Sequence, residues 1–295
     1  MIPFPENIKP EVFSVSLGDF TFTLYWYALA YIFGIIACWQ LAAIALKKNE
    51  LWQKNTPPLN PIKLEDLMSF SVLGIIFGGR LGFVIFYNPE YYLQNPLEVL
   101  FIWQGGMSFH GGLIGVATAS FLFFRKNSVP LRSGADLLAL GTPIGLGLGR
   151  LANFINDELW GRVTDVPWGV IVNSPQSRTV CQEIVDHCIR HPSQIYEAIL
   201  EGLILFILMM YLAFKRNAFK RPGFLASIFF MGYGLSRCFV ELFRQPDQQF
   251  QSVNNPMGFF IQFGEMGLTM GQVLSLPMIV IGIILFVTST RNKLV

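Results

Sequence analysis

Charged residues are scarce in this 295-residue sequence, where Asp, Glu, Lys and Arg make up 14% and hydrophobic residues make up 53%. A soluble domain usually has about a quarter of its residues charged, so this composition excludes an ordinary soluble protein. The net charge of +2 says little about partners. The sequence is therefore that of an integral membrane protein, and we expect no nucleic-acid partner.

Cysteine and histidine are also scarce, with four and three residues. Together with the carboxylates they form no cluster with the spacing of metal ligands, so we expect no metal and no cofactor. Cys38 and Cys238 fall in apolar stretches and are most simply packing residues. Cys181 and Cys188 fall in one polar segment, where a local disulfide is possible but not required.

Long apolar stretches, in contrast, are abundant. Seven are long enough, or nearly so, to cross roughly 30 Å of hydrocarbon as helices. They lie near residues 22–46, 67–87, 109–124, 135–153, 195–214, 223–243 and 270–290. Since no repeat or separate soluble domain is visible, we predict an all-α polytopic membrane protein, residues 1–295 forming one integral membrane domain with about seven transmembrane helices.

Lys and Arg are distributed unequally between the predicted loops. The loops after stretches one, three and five, with the C-terminal tail, contain 13 of the 21, and the N-terminus and other loops contain five. This asymmetry predicts an outside N-terminus and a cytoplasmic C-terminus. The first 21 residues carry three acidic residues and one lysine, so we expect no cleavable signal peptide. Residues 156–193, whose WGRVTDVPWGVIV stretch alternates like a strand, then form a small external cap.

Three arginines lie inside apolar stretches, each toward the predicted outer end. Such an arginine costs at least about 2.5–3.5 kcal/mol, which favours a functional site with an anionic partner. Arg80 follows two glycines. Arg150 shares a helix face with Asn153 and precedes Glu158. An arginine fork can bind phosphate through two hydrogen bonds, although Arg150 capping the end of its own helix is the simpler alternative.

Two further groups of polar residues fall at the same predicted end. Arg237, Glu241 and Arg244 share one helix face, so that Glu241 can pair with either arginine. A purely structural ion pair would look the same. Tyr233 lies one turn before Arg237 and can reach the same cavity.

A histidine and a tyrosine complete the candidates at this end. His110 stands beside two glycines and is a candidate base, because imidazole moves protons near neutral pH; a lone histidine is more often merely hydrogen-bonded. Tyr27 begins the first stretch, where membrane-interface anchoring is the simpler alternative. The candidates together indicate a pocket for a phospholipid headgroup in the outer leaflet.

Four motifs carry a resemblance to a known family. HGG at 110–112, GRLANFINDELWGR at 149–162, HPSQIYEA at 191–198 and YGLSRCFVELFRQPD at 233–247 closely resemble those of the phosphatidylglycerol:prolipoprotein diacylglyceryl transferases. These are inner-membrane enzymes of bacterial lipoprotein maturation. The resemblance spans nearly the whole chain. Asp157 departs from the glycine that many members have there, and Ala152 from the glycine of some.

The resemblance implies transfer of a diacylglyceryl group from phosphatidylglycerol to the lipobox cysteine thiol in preprolipoprotein signal peptides. The products are a thioether and glycerol phosphate. By this resemblance the catalytic residues are His110 as base, Arg150, Arg237 and Glu241. The phosphatidylglycerol-binding residues are Arg150, Asn153, Tyr27, Glu158, Tyr233, Arg237, Arg244 and Arg80.

Two other function classes compete with this interpretation. Intramembrane arginines and glycine-broken helices also mark a phospholipid transporter or flippase. Against transport, the charged groups favour one leaflet and no halves repeat. A structural or assembly protein would not require three membrane arginines and a histidine at the mouth.

Overall fold

The structure is a computed structural model that describes residues 1–5, 7–18, 20–172, 174–181, 188–246, 248–252, 255–264 and 266–291. Residues 173 and 182–187 of the predicted cap lie outside the described residues. The chain divides into two compact units. One comprises Met1–Leu41 with Asp136–Val295, and the other comprises Ala42–Ala135.

Helices make up most of the described chain. The α-helices are α1 (Trp26–Leu46), α2 (Leu64–Phe86), α3 (Pro89–Gln94), α4 (Phe109–Lys126), α5 (Leu131–Ile155), α6 (Pro175–Arg178), α7 (Ser193–Glu197), α8 (Leu205–Lys215), α9 (Phe224–Val240) and α10 (Met270–Arg291). A π-helix, Ala198–Ile204, joins α7 to α8, so that these three segments form one continuous helix.

Short strands form three small sheets. They are β1 (Ile2–Pro3), β2 (Glu11–Leu17), β3 (Phe20–Tyr25), β4 (Val170–Val172), β5 (Cys188–Arg190), β6 (Ile261–Phe263) and β7 (Met266–Leu268). The parallel pair β1–β4 continues into the antiparallel pair β4–β5, while β2–β3 and β6–β7 are hairpins.

The first predicted membrane stretch begins too early, because residues 22–25 belong to β3 and helix α1 begins at Trp26. Aromatic and threonine residues alternate in β3, a pattern that suits a pleated strand. The Thr23 and Ser14 hydroxyls form a 2.9 Å cross-strand hydrogen bond, and Phe13 packs against Phe22. Pairing with β2 therefore takes precedence over extending the helix.

Within the described residues, five helices are long and apolar enough to cross a membrane. They span Trp26–Leu46, Pro61–Phe86, Leu131–Ile155, Ser193–Lys215 and Met270–Thr290. Large apolar side chains on them are exposed, for example Phe77 at 60% and Ile284 at 56%, as expected for surfaces that face lipid. This confirms a mostly helical polytopic membrane protein. Because α4 and α9 do not meet the same criterion, seven spans and the orientation of the termini stay predictions.

Glycines of α5 allow two neighbouring helices to approach its backbone closely. A Cβ added to Gly34 of α1 would lie 2.9 Å from the Cα of Gly145. A Cβ added to Gly202 of the π-helix would lie 2.6 Å from the Cα of Gly147. Larger side chains would force these helices apart. The glycine-rich run before Arg150 thus sets α5 directly against the two elements that supply polar partners to the site.

The described part of residues 156–193 forms a small structured region with the N-terminal strand. Trp160, Val170, Val172 and Cys188 form a buried cluster, against which Phe4 packs. Cys181 and Cys188 are joined by a disulfide, with their Cα atoms 5.7 Å apart, whereas Cys38 and Cys238 are free. The disulfide that the sequence left open is therefore present.

A buried arginine holds this region together. The Arg190 guanidinium donates to the backbone carbonyls of Gly161 at 2.8 Å, Ser177 at 2.7 Å and Trp160 at 3.1 Å. Burial lowers the pKa of Arg190 to about 10, so the guanidinium stays charged near neutral pH. Arg190 therefore ties β5 to the segment that follows α5.

In the second unit, α2 and α4 are in close contact along glycines. A Cβ added to Gly78 would lie 2.3 Å from the carbonyl oxygen of Gly111, and one added to Gly82 would lie 2.7 Å from the Cα of Gly111. Ser108 caps α4 by accepting the Gly111 amide at 3.2 Å. These contacts fix the first turn of α4, which carries His110.

Candidate active site

Three arginines of the first unit converge on one buried carboxylate, that of Glu197. Arg150 Nε lies 2.8 Å from Glu197 Oε2, and Arg244 Nη1 lies 3.1 Å from Glu197 Oε1. Arg237 Nη1 donates to the same Oε1 atom. We call Arg150, Arg237, Arg244 and Glu197 the arginine cluster. It joins the end of α5, the start of the 193–215 helix and the end of α9.

A second carboxylate holds two of these arginines from the other side. Glu241 Oε2 lies 3.1 Å from Arg237 Nη2 and 3.6 Å from Arg244 Nε. The first residues of α10 leave room for it, since a Cβ on Gly271 would lie 2.5 Å from Glu241 Oε2. Glu241 thus contacts both arginines that share its helix face.

The arginines of this cluster are more exposed than the carboxylates that hold them. The side chains of Arg150, Arg237 and Arg244 are 19%, 15% and 13% exposed, whereas those of Glu197 and Glu201 are fully buried. The carboxylates therefore hold the arginines from inside the protein. The three arginine side chains remain partly exposed, and an arginine that pairs with a carboxylate can also pair with a phosphate.

Two further polar residues surround Arg150 within the helices. Glu201 Oε2 lies 3.6 Å from Arg150 Nε, one turn beyond Glu197. Tyr233 lies close enough to Arg150 for a side-chain hydrogen bond. Glu201 belongs to the π-helix, and its carboxylate and that of Glu197, four residues apart, lie near the same arginine. Such π segments often occur at functional sites.

A second polar group forms where α1 begins and α5 ends. The Tyr27 hydroxyl donates to Glu158 Oε1, and the Asn153 amide contacts both Tyr27 and Glu158, the latter at 2.8 Å. Gln194 Nε2 donates to the Glu158 carbonyl at 2.5 Å and so secures the turn. We call Tyr27, Asn153 and Glu158 the tyrosine group. These contacts give Tyr27 a defined place inside the protein, beyond membrane-interface anchoring.

The turn between α5 and the cap has an unusual backbone. Asp157 and Leu159 adopt the left-handed conformation, with φ of 57° and 59°. Aspartate tolerates this region better than most residues, and glycine tolerates it best. This explains how aspartate replaces the glycine found in many members of the resembled family. Its carboxylate also accepts from Trp160 Nε1 at 2.6 Å and from the Ser177 hydroxyl at 3.3 Å.

The segment after this turn also positions Arg244. The Arg162 amide donates to the Phe243 carbonyl at 2.7 Å, and Arg162 Nε donates to the Arg244 carbonyl at 3.0 Å. Gly161 forms a β-bridge with Arg244. Partial burial lowers the pKa of Arg162. The cap segment and the turn after α9 are therefore connected through the backbone of an arginine-cluster residue.

The two remaining candidates belong to the second unit. His110 is the second residue of α4, exposed, with its ring against Phe109. Arg80 is only 3% exposed. Its guanidinium donates to the carbonyls of Val99 at 2.9 Å, Glu98 at 2.6 Å and Gly105 at 2.6 Å. All three nitrogens of Arg80 therefore hold the loop after α3, which favours a structural role for this residue.

Comparison with known proteins identifies the family. The prolipoprotein diacylglyceryl transferase family model matches residues 13–288. A phosphatidylglycerol–prolipoprotein diacylglyceryl transferase from Ruegeria pomeroyi is 54% identical over 283 residues, 96% of this chain and 95% of the relative. One from Cereibacter sphaeroides is 50% identical over 291 residues, 99% of each chain, and one from Brucella anthropi is 44% identical over 282 residues, 96% and 92%.

The chain belongs to the prolipoprotein diacylglyceryl transferase family. Membership covers the arginine cluster, the tyrosine group and His110, since all lie within residues 13–288. It favours a transferase over the lipid transporter that the sequence left open. The family resemblance read from four short motifs is thereby confirmed over nearly the full chain.

Sequence reasoning missed the carboxylates at the centre of this diacylglyceryl transferase fold. Glu197 and Glu201 are both fully buried in the 193–215 helix, and neither was a candidate. Their spacing of four inside an apolar stretch was a usable signal, because buried carboxylates require partners. Across the described residues, no three His, Cys, Asp or Glu side chains form a group that could hold a metal ion.

Proposed function

We propose that this chain transfers the diacylglyceryl group of phosphatidylglycerol to a cysteine thiol of a prolipoprotein. The identity of the transferred group is inferred from the family and from the names of relatives that this chain matches over almost their whole length. The observation that carries the site assignment is the arginine cluster. Three partly exposed arginine side chains around one buried carboxylate supply the positive charge to bind a singly charged phosphodiester.

In this proposal the arginine cluster binds the lipid phosphate. The sulfur of the acceptor cysteine attacks the glycerol carbon that carries the phosphate ester, a carbon–sulfur bond forms and the carbon–oxygen bond breaks. Glycerol phosphate leaves with the electron pair of the broken bond. Arg150 and Arg237 stabilise the charge on the leaving phosphate, which is greater in the transition state than in the bound lipid.

The carboxylates of Glu197 and Glu241 have a positioning role. Glu197 holds all three arginines and Glu241 holds Arg237 and Arg244, so their geometry is set before the lipid binds. Preorganised charges avoid rearrangement during the reaction. We assign Glu241 to orienting Arg237 and add Glu197 as the residue that fixes the spacing of the arginines.

The tyrosine group supports the polar end of the same lipid. Asn153 is one helical turn from Arg150, so its amide can bond to the headgroup bound by Arg150. Tyr27 and Glu158 line the adjacent wall, and Tyr233 lies beside Arg150 in the helices. Phosphatidylglycerol has a glycerol headgroup whose hydroxyls need both donors and acceptors, which an amide, a phenol and a carboxylate supply. Arg80 is left out of this set because backbone carbonyls occupy its donors.

His110 is the proposed base. A thiol attacks only as a thiolate, so its proton must pass to an acceptor. The glycine contacts that fix the start of α4 leave the imidazole exposed, as a proton acceptor for a substrate must be. The thiol that receives the diacylglyceryl group is, by the family resemblance, that of the lipobox cysteine in a preprolipoprotein signal peptide.

The proposed location is the bacterial inner membrane, with seven spans and the site toward the outer leaflet. The Lys and Arg asymmetry supports an outside N-terminus and a cytoplasmic C-terminus. The arginine cluster and the tyrosine group lie where α1 begins, α5 ends and α9 ends. With that orientation, residues 156–193 form the predicted external cap of a single membrane domain, residues 1–295.

Mass spectrometry of an acceptor peptide tests the proposal. The purified chain is mixed with phosphatidylglycerol vesicles and a synthetic lipobox-cysteine peptide, with an active family member as the positive control. We expect the peptide to gain one diacylglyceryl unit, and a matched peptide with serine in place of cysteine to stay unmodified. An unmodified cysteine peptide beside a working control would overturn the transferase proposal and return lipid transport to consideration.

A further inference from the structure

The hairpin β6–β7, which comes directly before α10, has two faces of different chemistry. Residues opposite each other in an antiparallel pair share a face, and successive residues of a strand alternate between faces. One face of this hairpin therefore carries apolar side chains, in the opposed pairs Phe263–Met266 and Ile261–Leu268. The other face carries the pair Gln262–Gly267. The hairpin is thus amphipathic.

The apolar face is exposed, and most strongly at the tip of the hairpin. Met266 is 76% exposed and Phe263 is 71% exposed, more than the side chains of α2 and α10 that face lipid. An isolated two-stranded hairpin is marginally stable in water, and exposed apolar surfaces mark contacts with proteins or membranes. This face therefore suits an apolar partner from outside the chain.

The hairpin joins α10 without a flexible linker. Strand β7 ends at Leu268, and α10, which is long and apolar enough to cross a membrane, begins at Met270. The Thr269 amide donates to Gln272 Oε1 at 3.1 Å, and the Gln272 amide donates to Thr269 Oγ1 at 3.4 Å. This reciprocal cap fixes how the chain enters the helix. The position of the hairpin is thereby tied to the start of a membrane helix.

The tip of the hairpin is within reach of the bilayer surface. Met266 precedes Met270 by four residues, so its Cα lies at most about 14 Å from the start of α10. The polar layer on each side of a bilayer is roughly 5–8 Å thick. Exposed apolar surface resumes at Leu274, one turn inside α10. The apolar face of the hairpin is therefore close to the surface by which α10 faces lipid.

The size and charge of this face favour a lipid surface over a protein partner. A stable protein interface takes about 800 Å² from each partner and has a polar rim. Two strands of three residues present far less area. Glu265 is the only charged residue from Pro256 to Met270 in the sequence, so there is little for a protein to recognise. A bilayer requires neither a large complementary area nor matching charges.

We propose that the hairpin β6–β7 is a membrane anchor, which lies in the headgroup layer with Phe263 and Met266 directed into the acyl chains. This inference goes beyond the transfer reaction and does not depend on it. The carboxylate of Glu265 at the turn limits insertion to the boundary between headgroups and acyl chains. Gly271 of α10 packs against Glu241, so the anchor also holds the end of α10 that contacts the candidate active site.

Spin labels on the full chain in phosphatidylethanolamine–phosphatidylglycerol vesicles test the inference. Cys38→Ala and Cys238→Ala remove the free thiols, and single cysteines then carry the label. Phe263→Cys and Met266→Cys report on the apolar face, and Gln262→Cys is the matched control on the other face. Val280→Cys, exposed on α10, and Glu50→Cys, exposed in the second unit, are the hydrocarbon and water references.

The measurement is the collision rate of each label with oxygen, which concentrates in hydrocarbon, and with a nickel chelate, which stays in water. We expect the oxygen-to-nickel ratio at residues 263 and 266 to be at least about threefold higher than at residues 262 and 50, and to approach that at residue 280. Size-exclusion profiles establish that each labelled variant is folded, and either tip position decides alone if the other variant misfolds.

Two results would overturn the anchor. A ratio at the tip equal to that at residue 50 would show that the hairpin projects into water. Low collision rates with both reagents at the tip would show that polypeptide, from this chain or from a second copy, covers the apolar face instead of lipid.

Discussion

Arg150 and Arg237 approach the same carboxylate, that of Glu197, from two different helices, α5 and α9. Two guanidiniums this close would repel each other if no anion lay between them. Glu197 is fully buried and supplies that anion, while both arginines keep part of their surface accessible. The arrangement holds two forked donors side by side, which is the geometry that binds a phosphate group well.

We expect Glu197→Gln to lower the rate of transfer roughly 100-fold, because the arginines lose the charge that sets their spacing and misplacement of about 1 Å costs that much. The measurement is the initial rate of peptide modification in folded variants, with size-exclusion profiles to establish folding. Glu90→Gln, an exposed glutamate of α3, is the matched control. A Glu197→Gln enzyme within threefold of wild type would remove the positioning role.

His110→Ala should abolish or severely reduce transfer near neutral pH, and the defect should shrink as pH rises. A cysteine thiol with a pKa of about 8.5 deprotonates unaided at higher pH, so the base becomes less necessary. Arg150→Ala should show no such recovery, since its loss affects the phosphate. The check is the ratio of wild-type to variant rate between pH 7 and pH 9. Equal ratios across this range would argue against His110 as the base.

Asp157 provides a test of the turn after α5. Asp157→Gly relieves the left-handed backbone but loses the bonds to Trp160 and Ser177, so we expect lower thermal stability than wild type. Asp157→Ala loses the same bonds but, unlike the glycine variant, keeps a Cβ in the left-handed conformation, which costs about 1–2 kcal/mol relative to glycine. The predicted order of unfolding temperature is wild type, then Gly, then Ala. If Ala proved as stable as Gly, the backbone explanation would be wrong.

The disulfide between Cys181 and Cys188 closes a short loop, since the two residues are seven apart. A loop of this length constrains the unfolded chain by about 2 kcal/mol. The double substitution Cys181→Ser with Cys188→Ser should therefore lower the unfolding temperature. Reductant should lower the unfolding temperature of the wild type in the same way and leave the double variant unchanged. A wild type insensitive to reductant would contradict a stabilising disulfide.

Much of the fold is predictable from the sequence, because each long apolar stretch contains a helix. Composition alone separates such stretches from their loops, and the family motifs lie at their ends. The start of the first stretch is not predictable in this way, since Phe20–Tyr25 is apolar enough for either structure. Its pairing with β2 in a hairpin is a contact between two strands, which the hydropathy of the stretch alone does not show.

The sequence does not reveal which groups the polar side chains of the site contact. Arg150 and Arg80 looked alike, as arginines near glycines inside apolar stretches. One meets carboxylates of another helix and the other meets four backbone carbonyls of a loop. Spacing rules find partners on one helix, such as Arg237 and Glu241, but the Glu197 contacts need the tertiary structure.

The most direct measurement compares transfer by Arg150→Ala and Arg237→Ala with transfer by Arg125→Ala, an exposed arginine at the end of α4. Each variant is purified, shown to be folded, and assayed with phosphatidylglycerol and a lipobox-cysteine peptide. We predict that both cluster variants lose at least about 100-fold in rate, as expected when a donor to a developing anion is removed, while Arg125→Ala stays near wild type. A folded Arg150→Ala enzyme with near-normal activity would contradict the headgroup role of the arginine cluster.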